Sequence, residues 1–321
     1  MTDGGRSGKK AATRLHPALM TSPFRTTLMA LALALPLPAC AKGASAPAAA
    51  AKDADPALWV VKDADTTIYL FGTIHVLKPG MTWFDDAVKA AFDRSDEVKL
   101  ELVMPDPATM QGLVQSTGVA PPGTPPLTER LPVAKRAAFT KAVVDAGLPA
   151  DALDKYKPWL AATQLSIAPL SKLGYDATNG PEQVITAAAK AAGKPLTGLE
   201  TAEQQLGYFG GLSDTAQISF LTSTMDELPT AATTMSQMVD DWAAGRPDRL
   251  AEDMNESLKD SPEVAKVLLV DRNKRWASWI RQRMTKPGTV FIAVGAGHLA
   301  GRDSVQAQLA KAGVQARRVA Y

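Results

Sequence analysis

The sequence predicts an α/β fold: a mixed central sheet built from two similar ends, carrying a long and mostly helical insert. Three observations predict it. Two hydrophobic strands, Thr67-Ile-Tyr-Leu-Phe71 and Thr289-Val-Phe-Ile-Ala-Val294, each run into a Gly-x-x-His turn, Gly72-Thr-Ile-His75 and Gly295-Ala-Gly-His298. Each turn is followed by a helical pattern and then another strand, so the two ends look alike. Between them, residues 133–284 have helical spacing broken by one short strand, Pro195-Leu-Thr-Gly-Leu-Glu200.

The elements follow in order. Residues 1–40 are expected to be a signal peptide. Thr27 to Cys40 is a short apolar core behind Lys9, Lys10, Arg14 and Arg25, too short for a permanent membrane helix. Met20 is an alternative start that leaves Arg25 as the basic region. Leu37-Pro-Ala-Cys40 resembles a bacterial lipobox, with Cys40 as the lipidated residue, although cleavage next to Ala39 or Ala41 stays open. Either route exports the protein to the periplasm or cell envelope, and acylation of Cys40 would anchor it to a membrane. Residues 41–55 are small and Pro-containing and read as a flexible tether.

The folded domain is expected over residues 56–321. Leu58-Trp-Val-Val61 and Thr67–Phe71 form a hairpin that feeds the first histidine turn. Asp85–Phe92 has helical spacing with acids in its first turn. Val98-Lys-Leu-Glu-Leu-Val103 is the strand that completes a βαβ unit, parallel to the first. Residues 119–126 form a Pro-rich loop. The chain closes with a helix near Ser304–Ala312 and a last strand, Val314–Val319.

Composition narrows the function. A formal net charge of +2 and no basic stripe with interleaved aromatics exclude a nucleic-acid footprint. Cys40 is the single cysteine, so no disulfide forms within the chain. Gly207-Tyr-Phe-Gly-Gly211 lacks the Lys-Ser/Thr of a phosphate loop, and no Gly-x-Ser-x-Gly elbow supplies a serine nucleophile.

Once the leader is removed only His75 and His298 remain, both closing the same turn at the carboxyl end of a strand, where α/β sheets build ligand sites. A chain so poor in histidine is expected to bring both to one site holding a metal. Two imidazoles do not complete a ligand set, so carboxylates from other strands must join them. Glu101 is the first candidate: inside a sheet covered on both faces, an acid needs a counter-charge or a metal, whereas on an open face it is ordinary surface. Glu200 ends the short strand and competes with a helix-dipole role. Asp176, in Gly174-Tyr-Asp176, competes with a turn or capping role. Arg272, beside Asn273, is a candidate counter-ion to a substrate carboxylate or an oxyanion.

Taken together, Tyr69-Leu-Phe-Gly-Thr-Ile-His-Val76, Leu100-Glu-Leu102, Gly174-Tyr-Asp176, Leu199-Glu-Thr201 with Gln204-Gln-Leu206, Arg272-Asn273 and Val294-Gly-Ala-Gly-His-Leu-Ala-Gly301 resemble the TraB/GumN family, related to the animal Tiki proteins. The resemblance spans nearly all of the folded region. It implies a divalent-metal site (Mn, Co, Fe or Zn) of His75, His298 and Glu101, with Asp176, Glu200 and Asn273 behind it or against the substrate. It further implies a fold similar to erythromycin-esterase-like and ChaN-like haem-uptake proteins. Tiki members are described as metal-dependent proteases, and TraB members are linked to shutting off peptide pheromones.

The expected activity is hydrolysis of a peptide or small-molecule substrate by a metal-activated water, with Glu101 as ligand or general base and Arg272 steadying the developing charge. The alternative is a non-catalytic envelope protein that captures a peptide, haem or a metal ion. Glu101→Gln separates them, since turnover needs the carboxylate and capture does not.

Overall fold

The computed structural model describes residue 1, residues 52–258 and residues 261–321. The leader, Cys40 and most of the tether lie outside the described residues. Eight strands form in chain order: β1 (Lys52–Asp53), β2 (Leu58–Lys62), β3 (Thr66–Thr73), β4 (Met81–Thr82), β5 (Glu97–Leu102), β6 (Leu196–Glu200), β7 (Gly288–Gly295) and β8 (Arg317–Arg318). Six make one mixed sheet in the order β6-β5-β7-β3-β2-β8, and β1 and β4 form a small parallel pair.

β2 and β3 are the expected hairpin, antiparallel with Val60 opposite Tyr69. Its turn is closed by the Asp63 carboxylate, which accepts from the backbone N–H groups of Asp65 and Thr66. The helix Asp86–Arg94 then crosses to β5, which runs parallel to β3 as expected. The two strands are nevertheless not neighbours. β7 lies between them and pairs in parallel with both. A strand flanked on both edges and covered on both faces must be apolar throughout, and Val290, Phe291, Ile292, Ala293 and Val294 are all buried. The last parallel strand in sequence is therefore the middle of the sheet.

One face of the sheet packs Phe71, Leu100 and Phe291 against Phe92, Trp83 and Trp242. The other packs Ile68, Leu70, Val290 and Ile292 against Trp276, Ile280 and Leu309, from the helices Asp271–Arg283 and Val305–Lys311. Burial of each large side chain here contributes about 1.5–3 kcal/mol. The insert has a third core of its own, in which Trp159 stacks on Phe209 at 5.6 Å and Phe139 and Phe220 are fully buried. The helix Pro158–Lys172 ties the two parts together: Trp159 to Leu165 sit in the insert's core, Leu170 in that of the sheet.

The likeness of the two ends stops at the histidine turns. The second turn is itself a 3-10 turn, Ala296–Leu299; the expected helix follows as Val305–Lys311, but the final strand is only Arg317–Arg318 rather than Val314–Val319. It pairs antiparallel with β2 at the far edge. Exposed arginines suit an edge that must not pair further, and Arg318 stacks over Trp59 at 5.2 Å.

Candidate functional site

Register brings the site together. β3 and β7 pair directly, with Gly72 opposite Val294 and Thr73 opposite Gly295. Both histidine turns therefore leave the sheet side by side at its carboxyl edge. β5 places Leu100 opposite Ala293, so the next residue, Glu101, lies beside the end of β7, and its Oε2 accepts from Gly295 N–H at 3.0 Å. β6 places Glu200 opposite Leu102. Four side chains far apart in sequence thus meet at one rim because their strands run parallel and end together.

Close backbone approach fixes the first turn. A Cβ on Gly180 would fall 2.3 Å from the His75 carbonyl oxygen, so only glycine lets this segment lie against the turn. The next residues, Pro181 and Glu182, open the helix Pro181–Ala191. The Glu182 carboxylate takes His75 Nδ1 at 2.6 Å and the Thr73 hydroxyl at 2.5 Å. Burial lowers the His75 pKa, but the charge and hydrogen bond of Glu182 outweigh it and raise it above 6.5. The same pairing outweighs burial for Glu182 and lowers its carboxyl.

His298 is held differently. Its Nδ1 lies 2.6 Å from Asn273 Oδ1, an acceptor, so Nδ1 carries the proton and Nε2 the lone pair. Asn273 Nδ2 donates to the Asp303 carbonyl, and the Trp276 ring packs on the imidazole at 4.4 Å. Burial and the charge of Arg272 push the His298 pKa down to about 3.

Arg272 is the electrostatic centre. Its Nη2 donates to Glu101 Oε1 at 2.5 Å and Glu200 Oε2 at 2.6 Å, Nε donates to both Glu200 oxygens, and Nη1 to the Leu268 carbonyl. Nη1 also lies 3.2 Å from His298 Nε2. Burial alone raises the Glu101 carboxyl, but Arg272, with His298 and His75 behind it, holds it far below the ordinary carboxylate range. Gln205 Nε2 donates to Glu101 and Glu200, and Trp276 Nε1 donates to Glu200.

Of the residues singled out by sequence, His75, His298, Glu101, Glu200, Arg272 and Asn273 lie in this one network. Asp176 does not. Its carboxylate caps the turn Ala177–Asn179 through Thr178 N–H, and only its backbone, paired with Leu77, approaches the first histidine segment. Arg272 is engaged by two protein carboxylates rather than presented to solvent. Sequence reasoning did not find Glu182, whose only signal is a first-turn acid after Gly180-Pro181. Nor did it assign a site role to Trp276, which reads equally as core, or to Gln205.

Two imidazoles and a carboxylate are donor types that ligate divalent cations. His75 Nε2 and Glu101 Oε2 lie 3.2 and 3.4 Å from the position of a Cβ on Gly295, and His298 Nε2 is 4.0 Å from Glu101 Oε2. Each imidazole has its Nδ1 tied by an acceptor, the arrangement that directs Nε2 toward a metal. Two carboxylates against one guanidinium leave the Glu101–Glu200–Arg272 cluster one negative charge, which favours a cation. As placed, no group of three or more His, Cys, Asp or Glu side chains among the described residues could hold a metal ion. Arg272 Nη1, beside His298 Nε2, is the group that a closing ligand set must displace or tolerate.

The buried neutral state of His298 has a measurable consequence in the metal-free protein. Its folded pKa lies below the unfolded value of 6.5, so as pH falls through the window from 6.5 to about 3 the unfolded chain binds a proton that the native state refuses. Stability is lost there by up to about 1.4 kcal/mol per pH unit. His75 has the opposite sign: its contribution is full below 6.5 and is lost as pH rises through its raised value. In urea titrations between about pH 6 and 4, His298→Gln is expected to lose stability less steeply than wild type. Coincident slopes would contradict a buried neutral His298.

A mixed-sheet α/β domain with paired histidine turns at one sheet edge and a buried Glu–Arg–Glu cluster between them defines the class. The chain belongs to the TraB/PrgY/gumN family, whose model matches residues 57–318. It is 31% identical over 155 residues to the uncharacterized protein YbaP of Escherichia coli (strain K12), covering 47% of this chain and 55% of that protein. The same identity and coverage hold for YbaP of Shigella flexneri. The chain thus spans about half the length of the curated relatives it matches. No solved structure matches it.

Proposed function

We propose that the protein is an exported, metal-dependent hydrolase acting on peptide bonds, with residues 1–40 as its leader and Cys40 as a lipid attachment point. What carries the proposal is the approach of His75 Nε2 and Glu101 Oε2 at Gly295, with His298 Nε2 4.0 Å from the same carboxylate oxygen and both imidazoles oriented from behind. These three side chains would hold the ion. A divalent cation bound there supplies Lewis-acid polarisation of a carbonyl and brings the pKa of water toward neutrality.

The chain's own residues do the rest. Arg272 keeps Glu101 ionised, so a carboxylate is always available as a ligand. That also makes Glu101 a poor general base, because an effective base has a pKa near the working pH. Glu182 orients His75 and Asn273 orients His298, and the buried Trp276 excludes water behind the second imidazole.

The test is elemental analysis of the leaderless protein, alongside a His75→Ala/His298→Ala variant. Near-stoichiometric manganese, iron, cobalt or zinc that disappears in the double variant, with peptide cleavage lost in parallel, is the expected result. Wild type that neither carries nor takes up divalent ions would sink the proposal. A capture protein is the second reading, favoured because Glu101 and Glu182 are both held low and neither is poised as a base. It predicts metal-dependent peptide binding without cleavage.

A further inference from the structure

A cavity of about 190 Å³ opens beside His75 and Glu101. Pockets for drug-sized ligands run from about 300 Å³ upward, so this one suits a single side chain rather than a folded ligand. One wall is Leu102, Val103 and Met104, where the chain leaves β5. Val103 and Met104 are 37% and 39% exposed, two adjacent apolar side chains on a loop at the mouth of the site. Methionine is unbranched and adapts to differently shaped aliphatic partners.

The polar lining excludes acids. No lysine or arginine lines the cavity. Its two carboxylates, Glu101 and Glu182, are already paired with Arg272 and His75, and both would repel an anionic side chain. Gln205 is 2% exposed and also lines the cavity. Its Nε2 is committed to Glu101 and Glu200, while its Oε1 accepts no hydrogen bond from any described residue. A buried amide oxygen without a donor is costly; it is enclosed in the free protein, so a peptide N–H satisfies it only when the Gln205 side chain turns toward the cavity.

We propose that this cavity is the subsite for one uncharged aliphatic side chain (leucine, methionine, isoleucine or valine) flanking the scissile bond, with an adjacent backbone N–H donated to Gln205 Oε1. The assignment rests on the hydrolase proposal above, and it names the substrate class: peptides bearing an aliphatic residue at the cut. Because the cavity floor is formed by His75 and Glu101, a side chain seated in it brings its own peptide carbonyl to the ligand set.

The experiment is cleavage-site profiling of a mixed peptide library by the leaderless protein loaded with Zn²⁺ and, separately, Mn²⁺, for wild type and Met104→Glu. Met104 is exposed, so the change does not disturb the core. Expected is an enrichment of aliphatic over acidic residues of about tenfold or more at one position flanking the cut, falling severalfold in Met104→Glu. Cleavage with no such enrichment, or an enrichment that Met104→Glu leaves unchanged, overturns the subsite while leaving the hydrolase intact. If no peptide is cleaved, hydrolysis fails separately, and ligand-observed NMR with N-acetyl-leucinamide and N-acetyl-aspartate amide decides the subsite. Leucinamide binding that weakens in Met104→Glu supports it; equal or absent binding of the two overturns it.

Discussion

Replacing Arg272 by methionine is expected to lower Tm by about 6–20 °C. The change removes the only cation among the described residues bonded to both Glu101 and Glu200 while leaving two carboxylates inside the protein, 5% and 6% exposed. Breaking a buried ion pair from one side costs about 3–5 kcal/mol, because the remaining charge stays desolvated and unpaired. That is a large part of the ~5–15 kcal/mol by which domains are stable, and at this size each kcal/mol moves Tm by about 2–4 °C. Arg275 does not substitute: it is half exposed and approaches Glu200 only at 3.8 Å. Thermal melts followed by circular dichroism check the outcome, and Arg272→Met/Glu200→Gln should recover part of the loss. A drop below about 3 °C would mean that water reaches the cluster and that the ion pairs are worth no more than surface ones.

Gly295→Ala is expected to weaken divalent-metal affinity by about 10–100-fold at a stability cost of about 1–3 kcal/mol. The new methyl carbon would stand 3.2 Å from His75 Nε2 and 3.4 Å from Glu101 Oε2, in the space the donors face. Gly295 has φ −49°, which any L-residue adopts, so no backbone strain accompanies the change. Small-to-large overpacking costs about 1–3 kcal/mol, and at 3.2 Å the methyl is tight enough that the His75 ring must give by a few tenths of an ångström. Isothermal titration with Mn²⁺ and Zn²⁺ reads the affinity, and a melt reads the fold. Unaltered affinity in a folded variant would move the metal away from His75 and Glu101.

The two effects separate what Arg272 and Gly295 do. Arg272 holds the carboxylates in place and ionised, so its loss is felt first as stability. Gly295 leaves room, so its loss is felt first as binding. If the metal proposal is wrong, Gly295→Ala costs only that overpacking, while Arg272→Met stays the more destabilising change.

Local pattern carried much of this protein. Alternating apolar residues on either side of Asp63–Thr66 specify a hairpin, and helical spacing after Asp85 specifies a crossover, because both depend on neighbours within a dozen residues. The two histidine turns were legible for the same reason: a strand, a glycine and an imidazole stand in consecutive positions. The sequence reading passed over the capping box of Thr201 and Gln204, of which the structure forms both hydrogen bonds.

Only the tertiary structure decided the rest. No local signal says that β7 inserts between β3 and β5, since strand order follows from burying the most apolar strand rather than from chain order. The burial of Glu101 was equally undecided, because alternation in residues 98–103 permits an open or a covered face. What settles it is the helix Asp271–Arg283, which lays Arg272, Trp276, Trp279 and Arg283 along that face against Glu101, Glu200, Lys99 and Glu97. Glu182 stayed invisible because a first-turn acid is adequately explained by the helix dipole until His75 is found 2.6 Å away. Sequence by itself determined the strands and the histidine turns that end them, and singled out most of the residues that meet there. Long-range register determined that those ends coincide, and with that the partners, charges and protonation states that give the residues their properties.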